Sequence, residues 1–329
     1  MRTSGTARRL VCLLLLLCLL ASACSGKNAE RALKENELLY VGGQLCTWPE
    51  ARVFALAQHV QYSADYGEKI WTVSLGKQSF ESYVKAALLD YLELLYLVDS
   101  VSAEKGIMLS EAEKASLRHA AEDYVAALGE AGAEALELDR ETVYQLMCRM
   151  ARAKLVYAQV LRDTAEISDE EARAIRLQIV TMPESIGLPA AQEALEKLRE
   201  ENSSTTEILA AMEGVTVRQE TLVRGKYSES FDSIAFSLRN GKWSNVIPVD
   251  GHFYLLYCIS SNVSEETALN RGVLLLKQRR TLLENAVEEF ARGKKLNVNG
   301  PLWDSWSMED MIQYPQVDLY DYLPEFGTT

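Results

Sequence analysis

The stretch SESFDSIAFSLRNGKWSNVIPVDGHFYLLYC, residues 228–258, decides the fold of the part of the chain around it. Residues 229–238 carry apolar side chains at the spacing of a helix with one apolar face. Gly241 and Gly251 are typical of turns, and residues 253–257 (FYLLY) are strand formers. The stretch therefore predicts a short helix, a turn, a short strand, a second tight turn and a longer strand.

Upstream of this stretch, strand and short-helix patterns begin near Ser168. Ser168 and Glu171 have the spacing of a helix capping box. Residues 175–182 (IRLQIVTM) predict a strand bounded by Pro183, and two short amphipathic helices and another strand follow. The resulting order β-α-α-β-α-β-β predicts a small β/α domain over residues 167–262.

The rest of the chain has a helical pattern. Apolar residues at helical spacing predict one helix that opens at Thr47 and others at about 79–105, 110–128, 139–163 and 264–292. The fold class is therefore predicted as α+β, a mainly α-helical domain with a small inserted β/α domain. Its segments are a helical domain at 38–166, the inserted domain at 167–262, a returning helix at 263–300 and an acidic aromatic tail at 301–329. The tail either docks on the helices or is partly disordered.

The N-terminus has the pattern of a secretory signal. Residues 1–23 combine three arginines with an apolar run that is too short to span a bilayer. Small residues run directly into Cys24, which resembles the bacterial lipobox, where the cysteine is lipidated and becomes the new N-terminus. The alternative is an ordinary signal peptide cut after Ala23, with Cys24 as a plain thiol. A lipidated Cys24 and a polar tether at 24–37 predict a protein anchored in the lipid bilayer on the extracytoplasmic face of the cell membrane.

Charge and cysteine spacing exclude several classes of function. The formal net charge is −13, and removal of residues 1–23 takes away three arginines and no acid, which gives −13 − 3 = −16. Such a charge argues against nucleic-acid binding. Cys46, Cys148 and Cys258 are far apart in the sequence and no CxxC spacing occurs, so neither a disulfide framework nor a metal site is predicted. No cofactor is predicted.

The order of helical region, inserted β/α domain and returning helix resembles the PrsA/SurA class of exported foldases over residues 38–300. The opening stretch is the most specific part, since it is similar to the closing helix and strands of a parvulin-type peptidyl-prolyl cis-trans isomerase. Residues 176–180 (RLQIV) resemble the first parvulin strand. The positions that carry the closing pattern are Phe231, Ala235, Phe236, Leu238, Gly241, Ser244 and Val246.

The resemblance implies a proline-binding pocket. Tyr227 stands where the family has its pocket methionine, and Phe231 and Ile179 are implied to bind the substrate with it. Gln178 stands at the first-strand histidine and Tyr254 at the last-strand histidine. Because Gln and Tyr can both donate and accept hydrogen bonds, Gln178 and Tyr254 are the candidate catalytic residues that replace the family's histidine network.

The sequence departs from the family pattern at other places. His252 is the second alignment for the last-strand histidine, and residues 217–221 replace a glycine-rich segment. Glu213 lies only near the family's other polar position. The active site is therefore a degenerate match.

The function implied by the resemblance is that of a foldase. It would bind unfolded exported polypeptides and X–Pro segments, and the wide apolar faces of helices 79–105 and 139–163 are expected to supply the chaperone surface. X–Pro exchange needs no nucleophile, because a pocket that binds the twisted amide more tightly lowers the barrier of about 18–20 kcal/mol. The alternatives are a solute-binding lipoprotein, whose repeated βα units the sequence lacks, and a structural envelope lipoprotein without foldase activity.

Overall fold

The computed structural model describes residues 32–200, 204–210 and 212–325. The predicted signal sequence and Cys24 lie outside the described residues. The chain divides into two compact units, here called unit 1 (residues up to Asp163 together with those from Arg280 onward) and unit 2 (Thr164–Arg279). In these ranges, none of the helices has both the length and the apolar character that crossing a bilayer requires.

The first part of unit 1 is mainly helical. In chain order its elements are β1 (Glu37–Val41), β2 (Gln44–Thr47), α1 (Trp48–Tyr66), β3 (Ser74–Leu75), β4 (Gln78–Ser79), α2 (Phe80–Ser102), α3 (Glu111–Ala135) and α4 (Arg140–Val160). The side chains of Ser79, Ser110 and Asp139 accept a hydrogen bond from the backbone N–H three residues on, which fixes the starts of α2, α3 and α4. The tether predicted at 24–37 extends one residue too far, because Glu37 is the first residue of β1.

Unit 2 contains one four-stranded sheet with helices on both faces. Its elements are α5 (Asp169–Ala172), β5 (Ile175–Pro183), α6 (Leu188–Arg199), α7 (Thr205–Leu209), β6 (Thr216–Leu222), α8 (Glu229–Ser237), β7 (Ile247–Val249) and β8 (His252–Ser260). The strand order is β6-β5-β8-β7 and every pair is antiparallel. The sequence from Ile175 onward therefore folds in the predicted order β-α-α-β-α-β-β.

Successive side chains of a strand point to opposite faces of the sheet, so unit 2 has one hydrophobic core on each face. On one face, Ile175, Leu177 and Ile179 of β5 pack with α8, which contributes Phe231, Ala235 and Phe236. On the other face, Val180 and Met182 pack with residues of α6 and with Leu209 of α7. We call these the α8 face and the α6/α7 face.

The chain then continues through α9 (Ser264–Ala291), β9 (Leu296–Val298) and α10 (Gly300–Asp304). β9 pairs with β1 and completes the sheet β2-β1-β9, which the sequence did not predict. The tail is docked, because Trp303, Trp306, Met308, Met311 and Leu319 are buried in the core of unit 1. The fold class predicted from the sequence, α+β, is confirmed.

The docked tail changes the interpretation of the helical faces. Trp306 lies 5.3 Å from the ring of Trp48 on α1, and the backbone N–H of Met308 donates to Glu81 on α2 at 2.7 Å. Most apolar residues of α2 and α4 are buried, including Leu88, Leu92, Leu95, Val143, Leu146 and Met147. The predicted use of these two faces as an open chaperone surface is therefore wrong, because the same side chains form the core.

Candidate functional site

Three aromatic rings lie together on the α8 face of unit 2. Ser228 caps α8 by accepting from the backbone N–H of Phe231, which sets Phe231 in the first turn and under the sheet. The rings of Tyr227 and Phe231 are stacked with centroids 4.5 Å apart, and Tyr254 meets Phe231 edge-on at 5.7 Å. Phe231 is only 1% exposed, so Tyr227 and Tyr254, which are partly buried, are the rings that a ligand can reach.

A polar cluster borders these rings along β6. The Arg218 guanidinium donates to the Tyr227 hydroxyl at 2.9 Å and to the Thr181 hydroxyl at 3.3 Å. The Tyr227 hydroxyl in turn donates to the Glu220 carboxylate at 3.0 Å, which also binds Lys226. These bonds hold the Tyr227 ring in place over Phe231.

Contacts within this cluster stabilise the charged forms of Glu220 and Lys226. Burial by itself raises the pKa of the Glu220 carboxyl, but hydrogen bonds from Lys226, Tyr227 and Arg218 outweigh burial and hold its pKa below the usual range. The pKa of Lys226 is raised by its bond to Glu220. Arg218 is 43% exposed along its side chain, so part of its guanidinium faces solvent beside the rings.

The structure separates the two predicted catalytic residues. Gln178 pairs with Tyr257 across β5 and β8, whereas Tyr254 pairs with Thr181, and the odd register difference puts them on opposite faces of the sheet. The Gln178 amide donates to Thr205 of α7 at 3.1 Å on the α6/α7 face. The proposed network of Gln178 with the Tyr254 hydroxyl is therefore wrong. Ile179, Tyr227, Phe231 and Tyr254 belong to one cluster on the α8 face.

His252, the other alignment for the last-strand histidine, lies at the edge of the same face. Its ring is 6.3 Å from Tyr254, and its Nδ1 lies 3.0 Å from the backbone oxygen of Asp250. Asp250 and Gly251 both have positive φ, as a tight hairpin turn requires. A cavity of about 190 Å³ adjoins this turn and is lined in part by Glu184 and Pro248.

Arg218, Glu220 and Thr181 were not identified from the sequence as site residues. Their signal is the alternation of strand β6, because Arg218 pairs with Ile179 and Glu220 with Leu177, both on the α8 face. That alternation becomes informative only once the pairing of β6 with β5 is known. Among the described residues no cluster of His, Cys, Asp or Glu is arranged to hold a metal ion.

Comparison with known proteins gives matches among solved structures. No protein-family model matches the sequence, and no curated protein matches it. The chain is similar to the foldase PrsA of Lactococcus lactis, at 11% identity over 82% of this chain and 97% of that one, with a TM-score of 0.31. It is also similar to a peptidylprolyl isomerase (PrsA) of Bacillus cereus, at 15% identity over 71% and 89%, with a TM-score of 0.30. A structure from a study of the SurA-like chaperones PEB4 and Cj1289 of Campylobacter jejuni matches at 11% identity over 80% and 99%, with a TM-score of 0.29.

These structures are described as foldases, a peptidylprolyl isomerase and SurA-like chaperones, the classes that the sequence motif resembles. Identities of 11–15% and TM-scores of about 0.3 define no activity. The function is therefore derived from the residues of this chain.

Proposed function

We propose that this chain is a membrane-anchored extracytoplasmic foldase that binds unfolded exported polypeptides and contacts their X–Pro segments on the α8 face of unit 2. The observation that carries the proposal is the stack of Tyr227 on Phe231, with Tyr254 at its edge and Arg218 at its border. A proline ring is a compact apolar group that packs well on an aromatic face. An aromatic site beside a partly exposed guanidinium offers both the apolar contact and a hydrogen-bond donor that an X–Pro amide needs.

The same arrangement supports weak isomerase activity. The barrier to X–Pro rotation is the loss of amide resonance, so a site that binds the twisted amide better than the planar one accelerates exchange without a nucleophile. In the twisted amide, the nitrogen lone pair is no longer delocalised into the carbonyl group and can accept a hydrogen bond. We propose that Arg218 donates to this prolyl nitrogen, while Tyr227 and Tyr254 hold the proline ring. Gln178 has no part in the reaction, since it lies on the other face.

The test uses two tyrosines of the same sheet. Tyr227→Ala removes the ring that covers Phe231, and we expect it to abolish the acceleration of X–Pro exchange in a short peptide. Tyr257→Ala is the matched control, because Tyr257 is a half-buried tyrosine on the α6/α7 face whose ring lies 5.1 Å from Trp243. If the two variants lose exchange activity equally at a temperature where both are folded, the α8 face is not the site.

Client binding is tested separately from isomerisation. We expect the full chain to delay the aggregation of an unfolded exported protein, and Tyr227→Ala to retain most of that effect. A wild-type chain that neither delays aggregation nor speeds X–Pro exchange would refute the foldase proposal.

The alternatives are less well supported by the geometry. A two-lobed solute-binding protein is built from repeated βα units with parallel strands. Every strand pair in the described residues is antiparallel. A purely structural envelope lipoprotein has no need for partly exposed aromatic rings held in place by a charged network.

A further inference from the structure

Helix α9 carries a stripe of exposed apolar side chains within unit 2. Leu269, Val273 and Leu276 are 66%, 61% and 53% exposed. Their spacing of four and then three residues puts them on one side of the helix, over a length of about 10 Å. A Cβ added at the neighbouring Gly272 would meet no atom within 4 Å, so the space beside this turn is open.

The stripe lies in a basic part of an acidic chain. No acidic residue occurs from Thr267 to Arg279, whereas Arg271, Lys277 and Arg279 all lie there, in a chain with a formal net charge of −13. Arg271 is engaged with Asp169 and with the backbone oxygen of Ile167. Within the part of the chain that the structure describes, Lys277 and Arg279 form no ion pair.

Lys277 and Arg279 lie next to the apolar residues. Lys277 follows Val273 by four residues and Arg279 follows Leu276 by three, the two spacings at which helical side chains are neighbours. A ligand that covers the stripe is therefore placed within reach of both charges. This arrangement fits a ligand that has apolar and acidic groups close together.

We infer that the stripe of Leu269, Val273 and Leu276, with Lys277 and Arg279, is a client-binding surface that prefers apolar polypeptide segments flanked by Asp or Glu. This inference rests on the foldase function proposed above and names the class of client segment. The stripe is long enough to contact about three residues of an extended polypeptide, at roughly 3.3 Å each. A segment of that length with one or two adjacent carboxylates matches both the apolar contact and the charges.

A membrane surface is the other ligand with apolar and anionic groups, and the charge of the chain argues against it. An anionic bilayer is an extended charged surface, so it interacts with many charges of the protein at once. It therefore repels a protein whose net charge is −13. A short peptide responds mainly to charges within a Debye length of about 8–10 Å, and Lys277 and Arg279 lie within about one helical turn of Val273 and Leu276. Three exposed apolar side chains also provide little area for insertion into lipid.

The experiment measures binding of fluorescent unstructured peptides to the full chain by anisotropy. Two peptides share an apolar segment and differ in flanks of aspartate or lysine. We expect the aspartate-flanked peptide to bind at least about tenfold more tightly at low salt, and the preference to shrink at high salt. In the Leu269→Ser/Val273→Ser/Leu276→Ser variant, we expect its affinity to fall about tenfold or more.

Two further variants complete the test. Lys277→Glu/Arg279→Glu should reverse the preference between the peptides while leaving the apolar stripe in place. Met108→Ser/Ile312→Ser is the matched control, because these apolar residues are 78% and 58% exposed in unit 1, and it should bind both peptides as the wild type does. Melting followed by circular dichroism checks that every variant is folded.

The possible results distinguish a wrong assignment of the binding surface from a wrong foldase proposal. If the triple serine variant binds both peptides like the wild type while the wild type still delays aggregation, the surface assignment is wrong and the foldase proposal stands. If the wild type binds no peptide and does not delay aggregation, both fail. Binding to phosphatidylglycerol vesicles that is lost in the triple variant, without peptide binding, would overturn the inference in favour of a lipid contact.

Discussion

Asp99 holds two arginines in the interior of unit 1, and its replacement by asparagine tests the energetics of that core. One carboxylate oxygen accepts from Arg149 Nη1 at 2.6 Å, and the other accepts from Arg152 Nε at 2.6 Å. The Asp99 side chain is 3% exposed, against 12% for Arg149 and 26% for Arg152. The Arg149 guanidinium also lies 4.0 Å from the Tyr96 ring. Asp99→Asn keeps the shape of the side chain and removes its charge, which leaves two cations without their anion.

We expect Asp99→Asn to cause a large decrease in the free energy of unfolding of unit 1. Removal of one partner of a buried ion pair costs about 3–5 kcal/mol, because the remaining charge stays buried without compensation. Since Arg152 is partly exposed and asparagine still accepts one hydrogen bond, we expect the lower end, about 3 kcal/mol. For a unit of this size, 1 kcal/mol shifts the melting temperature by about 2–4 °C. The melting temperature of unit 1 should therefore fall by about 6–12 °C.

Tryptophan fluorescence is a suitable probe for this melt. Four of the five tryptophans, Trp48, Trp71, Trp303 and Trp306, belong to unit 1, so the signal reports mainly on that unit. Glu111→Gln is the control, because the Glu111–Lys114 pair is exposed and such pairs contribute less than about 1 kcal/mol. A melting temperature of Asp99→Asn within about 1 °C of wild type would refute the reasoning.

Three further predictions follow from single residues. Burial, and secondarily the charge of Asp90, raises the pKa of Glu93 from 4.5 to about 7, so the folded state binds the proton more tightly and loses stability as the pH rises from about 4.5 to 7. Glu93→Gln should therefore raise the free energy of unfolding at pH 8 by up to about 3 kcal/mol and leave it unchanged at pH 4, in urea titrations at both pH values; an equal effect at both would contradict the cause. Gly272→Ala, in an exposed helix interior with no atom near the added Cβ, should stabilise unit 2 by about 0.5–1 kcal/mol, and a lower melting temperature would show that the site is not open. Cys24→Ala should release the protein from the membrane fraction or block its processing, and a variant that remains processed and tightly bound would rule out the lipid anchor.

Local patterns in the sequence predicted many of the helices and strands. Pairings between residues far apart in the sequence were not predicted. The capping box at Ser168 was identified because all its atoms lie within four residues. The sheet β2-β1-β9 was missed because Leu39 pairs with Val298, almost the whole chain away. No periodicity within one segment reports such a partner.

The site shows the same limit. The resemblance to parvulins implied the pocket of Tyr227, Phe231 and Tyr254, which lie in one cluster. It also implied Gln178, which the strand register puts on the opposite face of the sheet. Helical periodicity likewise identified the apolar faces of α2 and α4. Periodicity alone does not show that these faces are buried in the core of unit 1, to which the tail also contributes.

The pairing of β1 with β9 has a consequence for the order in which the chain folds. A chain that emerges from its N-terminus presents β1 first, but the strand that pairs with β1 and the tryptophans that complete the same core emerge last. Unit 2 is continuous in sequence and has all its strands as soon as residue 260 has emerged. We therefore expect unit 2 to fold first and unit 1 to close around the incoming C-terminal segment, with a slow late phase set by that long-range contact. Until then the helices of unit 1 expose their apolar faces, so this protein passes through the same unfinished state as the chains it is proposed to assist.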